Sequence, residues 1–143
     1  MRRRAVIFDD EKALRFALWH FFAQRNYEVI TFSEPGVCPL HVPLQCACPD
    51  GSSCSDLVIS DVNMLGANGI DFVEQLITKG CRQRHFALMS GAFSDTDRVR
   101  GAKLGCALFD KPLDMQAVTA WVEEVEKSTS PDRILFDWMS KTP

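Results

Sequence analysis

Five short apolar runs recur along this chain, and all but one of the stretches between them carry helical periodicity. The runs occupy residues 5–8, 28–32, 57–61, 86–90 and 107–109, and each reads as a strand. Leu14, Leu18, Phe21 and Phe22 mark a helix over 12–25. Ile70, Val73, Leu76 and Ile77 mark a second, ended by Lys79-Gly80. Residues 94–104 form a third, stopped by Gly105, and Met115, Val118, Val122 and Val125 stripe a fourth. The strand runs are continuously apolar instead of alternating, so both of their faces are buried. That is the pattern of a parallel sheet between layers of helices. Ligands of such sheets gather beyond the C-terminal ends of the strands, so those ends are the positions to read for chemistry.

Two stretches break the alternation. Residues 34–55 carry Pro35, Pro39, Pro43 and Pro49, a density that prevents a long helix. The helix expected there is shortened or replaced by a Cys- and Pro-rich loop. Near the other end, Ser128-Thr129-Ser130-Pro131 breaks the last helix, and Ile134, Leu135, Phe136, Trp138 and Met139 form an apolar cluster. The division expected is a domain over 1–127 and a C-terminal extension over 128–143, a short packed helix or apolar tail. A chain of 143 residues is the size of one domain and buries a core without disulfides. Its net charge of −3 argues against direct nucleic-acid binding by bulk charge. No run approaches the roughly 20 apolar residues of a membrane span. The start Met1-Arg2-Arg3-Arg4 is basic, but Asp9, Asp10 and Glu11 end the apolar stretch after it, which argues against export. The expectation is a cytoplasmic protein whose six cysteines are thiols or metal ligands.

At the strand ends stand Asp9 and Asp10, then Asp61, then Ser90, then Lys111. Carboxylates converging in one crevice repel each other, and a divalent cation with oxygen ligands and open positions, Mg²⁺, resolves the repulsion. A lysine and a hydroxyl beside that cation match the equatorial oxygens of a transferred phosphoryl group. Asp61, in the middle by chain order, is placed to attack phosphorus in line and form an aspartyl phosphate.

These residues resemble the receiver domain of two-component response regulators over residues 4–127. The resemblance rests on Phe8-Asp9-Asp10-Glu11, Val58-Ile59-Ser60-Asp61-Val62-Asn63-Met64, Met89-Ser90-Gly91 and Asp110-Lys111-Pro112, in that order. It implies a doubly wound five-stranded parallel sheet, the flavodoxin-like (βα)5 arrangement. It implies that Asp61 is the phosphoacceptor and that Asp9, Asp10, Asp61 and the backbone carbonyl of Asn63 hold Mg²⁺ or Mn²⁺. Ser90 is then the switch hydroxyl and Lys111 the phosphate lysine, followed by a cis bond to Pro112. The partners implied are a histidine kinase or histidine phosphotransfer protein upstream and a protein target downstream. The expectation is a stand-alone receiver that catalyses only its own phosphorylation and dephosphorylation. Whether the tail makes a homodimer is left open.

The sequence departs from the family pattern in places. Leu65 stands where proline is usual, and the stretch from Gly105 to Lys111 is one residue short. Counting back from Lys111 puts Leu108 at the switch-aromatic place; counting forward from Gly105 puts Phe109 there. Cys38, His41, Cys46, Cys48 and Cys54 follow a C-x2-H-x4-C-x-C-x5-C spacing, a candidate Zn²⁺ or thiol-redox site, though not the paired C-x2-C of common zinc sites. Cys81 and Cys106 read as packing residues, and Trp19 and Trp121 as core or half-buried. Two rivals remain: a pseudo-receiver interaction module, and a phosphatase of the haloacid dehalogenase type. The second needs an aspartate two residues after Asp9, where Glu11 stands.

Overall fold

Residues 2–34 and 52–136 are described by the structure, a computed structural model. In chain order the elements are β1 (Arg3–Phe8), α1 (Lys12–Gln24), β2 (Tyr27–Phe32), β3 (Ser52–Ser53), β4 (Leu57–Asp61), β5 (Asn63–Met64), β6 (Ala67–Asn68), α2 (Gly69–Thr78), β7 (Phe86–Ser90), α3 (Asp95–Lys103), β8 (Ala107–Asp110), α4 (Met115–Ser128) and β9 (Ile134–Leu135). Five of the strands form one parallel sheet in the order β2-β1-β4-β7-β8. This is the doubly wound, flavodoxin-like sheet that the run pattern and the resemblance imply. The expected Cys- and Pro-rich replacement of a helix falls on residues 35–51, outside the described residues.

Strand alternation sorts the core into two layers. Ala5, Ile7, Leu57, Ile59, Ala87 and Met89 face Leu18 and Phe22 of α1 and Val118, Val122 and Val125 of α4. Val6, Phe8, Val58, Phe86 and Leu88 face Ile70, Val73 and Leu76 of α2. Helix starts follow from local chemistry. Asn68 caps α2 by accepting from the N–H groups of Ile70 and Asp71. Ser94 and Asp97 cap α3 reciprocally, and Asp114 caps α4. Gly80 and Gly105 take positive φ just past α2 and α3, where a side chain would strain the backbone.

The apolar run at 134–135 pairs in parallel with Ser52–Ser53, a ladder separate from the main sheet. Ion pairing holds it there. The Arg4 guanidinium is buried, 1% exposed, and donates to the carbonyls of Cys54 and Phe136 and to Glu28. Arg133 grips both carboxylate oxygens of Asp56 and donates to the Arg2 carbonyl. Trp121 is half-buried, whereas Trp19 lies at the surface, 43% exposed and stacked on the exposed Phe16. The helical stripe of α1 runs through Leu18 and Phe22 and leaves Trp19 on the outer side. Among the described residues, no helix is long and apolar enough to cross a membrane.

Candidate functional site

The C-terminal ends of β1, β4, β7 and β8 meet in one crevice. Asp9 follows β1 directly, and its backbone N–H donates to the Phe32 carbonyl of the neighbouring strand. Asp61 ends β4, Ser90 ends β7, and Lys111 follows β8 with its N–H on the Ser90 carbonyl at 2.9 Å. A carboxylate oxygen from each of Asp9, Asp10 and Asp61 lies within 4.8 Å of the others. Lys111 Nζ stands 3.2 Å from Asp9 Oδ2 and 3.3 Å from Asp61 Oδ2. The Lys111–Pro112 peptide is cis.

Each carboxylate is also held by backbone. Asp9 Oδ1 accepts from the Glu11 N–H at 2.7 Å, and Asp10 Oδ2 from the Leu65 N–H at 3.2 Å. Asp61 Oδ1 accepts from the Asn63 N–H at 3.4 Å. Asp9 is fully buried and Asp61 nearly so. Burial first, then the charge of Asp9, pushes the Asp61 carboxyl above its ordinary range, with Lys111 opposing. Burial would lower Lys111, but Asp9 and Asp61 outweigh it and raise the ammonium. One ammonium thus reaches two of the three carboxylates. The remaining negative charge, with oxygen-only donors, suits a hard divalent cation that keeps water ligands. Asn63 lies two residues past Asp61, in β5.

Ser90 is fully buried. Its hydroxyl oxygen accepts from the Ala92 N–H at 3.0 Å and from Asn63 Nδ2 at 3.3 Å. The Asn63 side chain is therefore part of the site, as well as its backbone. Gly69 is a further part that sequence reasoning missed. A Cβ there would collide with the Asp61 carbonyl, because α2 starts directly against β4. Arg15 was missed too; it donates to the Asp9 carbonyl at 2.7 Å. Its position one turn into α1 was the only signal available.

Leu108 and Phe109 separate cleanly. Leu108 packs on the α3 side, its methyl groups where a Cβ on Gly101 would stand. Phe109 faces α4 and meets Trp121 edge-on, ring centres 5.9 Å apart. The side chain between β8 and the helix after Ser90 is thus an aliphatic one. Of the candidate Zn²⁺ or redox ligands, Cys38, His41, Cys46 and Cys48 lie outside the described residues. Cys54 is buried, its carbonyl bonded to Arg4. Cys81 and Cys106 pack against the α2-side core, and burial pushes the Cys106 thiol up to about 11.

No family model matches the chain, and no curated protein matches it. Solved structures do. The chain is similar to the non-phosphorylated HemR receiver domain from Leptospira biflexa, with 24% identity and a TM-score of 0.73 over 91% of this chain and 98% of that one. It is similar to chemotaxis protein CheY4 of Vibrio cholerae, with 20% identity and a TM-score of 0.69 over 87% and 99%. It is similar to the Francisella response regulator 1452 receiver domain, with 16% identity and a TM-score of 0.73 over 90% and 100%. The fold is that of response-regulator receiver domains.

Proposed function

We propose that this chain is a cytoplasmic receiver that accepts a phosphoryl group on Asp61 from a phosphohistidine of a histidine kinase or phosphotransfer protein. The observation that carries the reading is Lys111 Nζ set between Asp9 and Asp61, at 3.2 and 3.3 Å, at the C-terminal end of a parallel sheet. The ionised Asp61 carboxylate attacks phosphorus. An O–P bond forms, the P–N bond to the donor imidazole breaks, and its electron pair leaves on that nitrogen. The ammonium of Lys111 then meets a phosphoryl oxygen in place of the lost carboxylate charge. Asp9, Asp10, Asp61 and the Asn63 carbonyl would hold Mg²⁺ or Mn²⁺, which supplies positive charge for the phosphoryl oxygens.

The readout follows from Ser90. Its oxygen now holds the Ala92 N–H and the Asn63 amide. Turning toward a phosphoryl oxygen releases both, and Ala92 lies just before the Ser94 cap of α3. The start of α3 and the adjoining β8–α4 face therefore shift, and that face is the surface a downstream protein reads. Leu108 beneath Gly101 makes this shift a repacking of aliphatic groups.

The test is intact mass after incubation with acetyl phosphate and Mg²⁺. The parent gains one phosphoryl group; Asp61→Asn gains none, and omission of the metal abolishes the gain. A folded parent that stays unmodified with Mg²⁺ present overturns the reading in favour of an interaction module independent of phosphate.

A further inference from the structure

At the pole opposite Asp61, the starts of β4 and β7 and the ends of α2 and α4 border an open cleft of about 620 Å³. Small-molecule sites span about 300–1,000 Å³, so this space is of metabolite size. Among the described residues, Arg82, Arg84 and Arg133 line it with one carboxylate, Asp56, and His85 beside them. Asp56 is already satisfied: Arg133 grips both of its oxygens, and the Arg4 N–H donates to one of them at 2.9 Å. Among the described residues, Arg84 has no ion-pair partner. Arg84 therefore brings to the lining a positive charge that no described carboxylate answers.

Basic side chains also gather at helix C-termini to meet the carbonyls there. Here the chain meets those carbonyls by other means. The N–H groups of Lys79, Gly80 and Cys81 take the last carbonyls of α2. The hydroxyls of Ser128 and Thr129 take those of Glu124 and Val125 in α4. Arg84, an exposed side chain at the cleft, takes none of them. The wall beneath it is built. Gln83 is 94% buried, being 6% exposed; its carbonyl oxygen accepts from Ser55 at 2.9 Å and its amide donates to the His85 carbonyl at 3.0 Å. This pins residues 82–85 against β4, with Arg84 and His85 at the cleft.

We propose that this cleft binds a small oxyanion-bearing metabolite, with Arg84 engaging a phosphate or carboxylate and the surrounding hydroxyls and His85 engaging its polar remainder. The planar guanidinium offers paired donors matched to either oxyanion. The site is remote from the phosphoacceptor crevice and needs no metal, so it stands independently of the proposed function.

The experiment follows backbone amide resonances of the full-length chain in EDTA while pyrophosphate or citrate is added. Saturable shifts are expected across residues 80–85 and 128–133. Arg84→Ala should weaken binding about tenfold, the loss of one charge-assisted bond, and Arg84→Lys should retain part of it. Stronger binding of pyrophosphate assigns a phosphorylated ligand; stronger binding of citrate assigns a polycarboxylate. The amide spectrum of each variant reports its own folding. Absence of saturable shifts with both anions overturns the proposal. So do shifts unchanged by Arg84→Ala, or shifts confined to Asp9, Asp61 and Lys111.

Discussion

Asp61 must ionise beside Asp9 in a place water scarcely reaches. Its raised pKa means that the folded chain holds this proton more tightly than the unfolded chain does. Its contribution to stability is therefore present below the ordinary carboxylate value of 3.8 and is lost as pH rises through the higher folded value. Asp61→Asn escapes that loss. In EDTA, its melting temperature should exceed the parent's by a few degrees at pH 7, and the gap should close near pH 3.5. Lys111→Met should move the other way. It strips the ammonium from two buried carboxylates and should cost about 2–3 kcal/mol at pH 7 by urea unfolding, with phosphoryl acceptance lost. The residues of this crevice were legible because each polar group closes an apolar run. Gly69 was not. Its need for a missing side chain arises from a close approach to the Asp61 carbonyl, and no local pattern encodes that approach.

At the scale of elements, α3 is the piece to test. Gly101 sits inside it, although alanine is the better helix former by about 1 kcal/mol. The reason is Leu108, whose Cδ2 would lie 2.7 Å from an added Cβ. Gly101→Ala should therefore destabilise the chain by about 1–2 kcal/mol despite its helix propensity. Pairing it with Leu108→Ala should cost less than the two changes summed, as a double-mutant cycle by urea unfolding will show. The main strands and the helices of the described residues could be read from apolar runs, periodicity and stop signals to within a residue or three. β3, β5, β6 and β9 could not, since two-residue strands carry no period. Nor could counting along the chain choose between Leu108 and Phe109. The pairing of β8 with β7 chooses, by sending successive side chains to opposite faces.

Across the whole molecule, the ends of the described chain are joined through charge. Arg133 and Arg4 converge on Asp56, Glu28 and the carbonyls of Cys54 and Phe136. Arg133→Ala leaves Asp56 buried with only the Arg4 N–H. The expected cost is about 2 kcal/mol, below that of a fully enclosed pair because Arg133 keeps some solvent contact. Limited proteolysis should then cut near residue 134 before the sheet core. The sequence pattern marked 134–136 as apolar but offered no sign of where it docks, because the partner strand lies some eighty residues earlier.

The bond from Arg4 to Phe136 also imposes an order on biosynthesis. A ribosome releases the start of this chain long before its end. The guanidinium that sits beneath the finished sheet waits for its last acceptor until a residue 132 positions later is made. The polar seal at that pole thus closes only after the crevice around Asp61 has all of its residues.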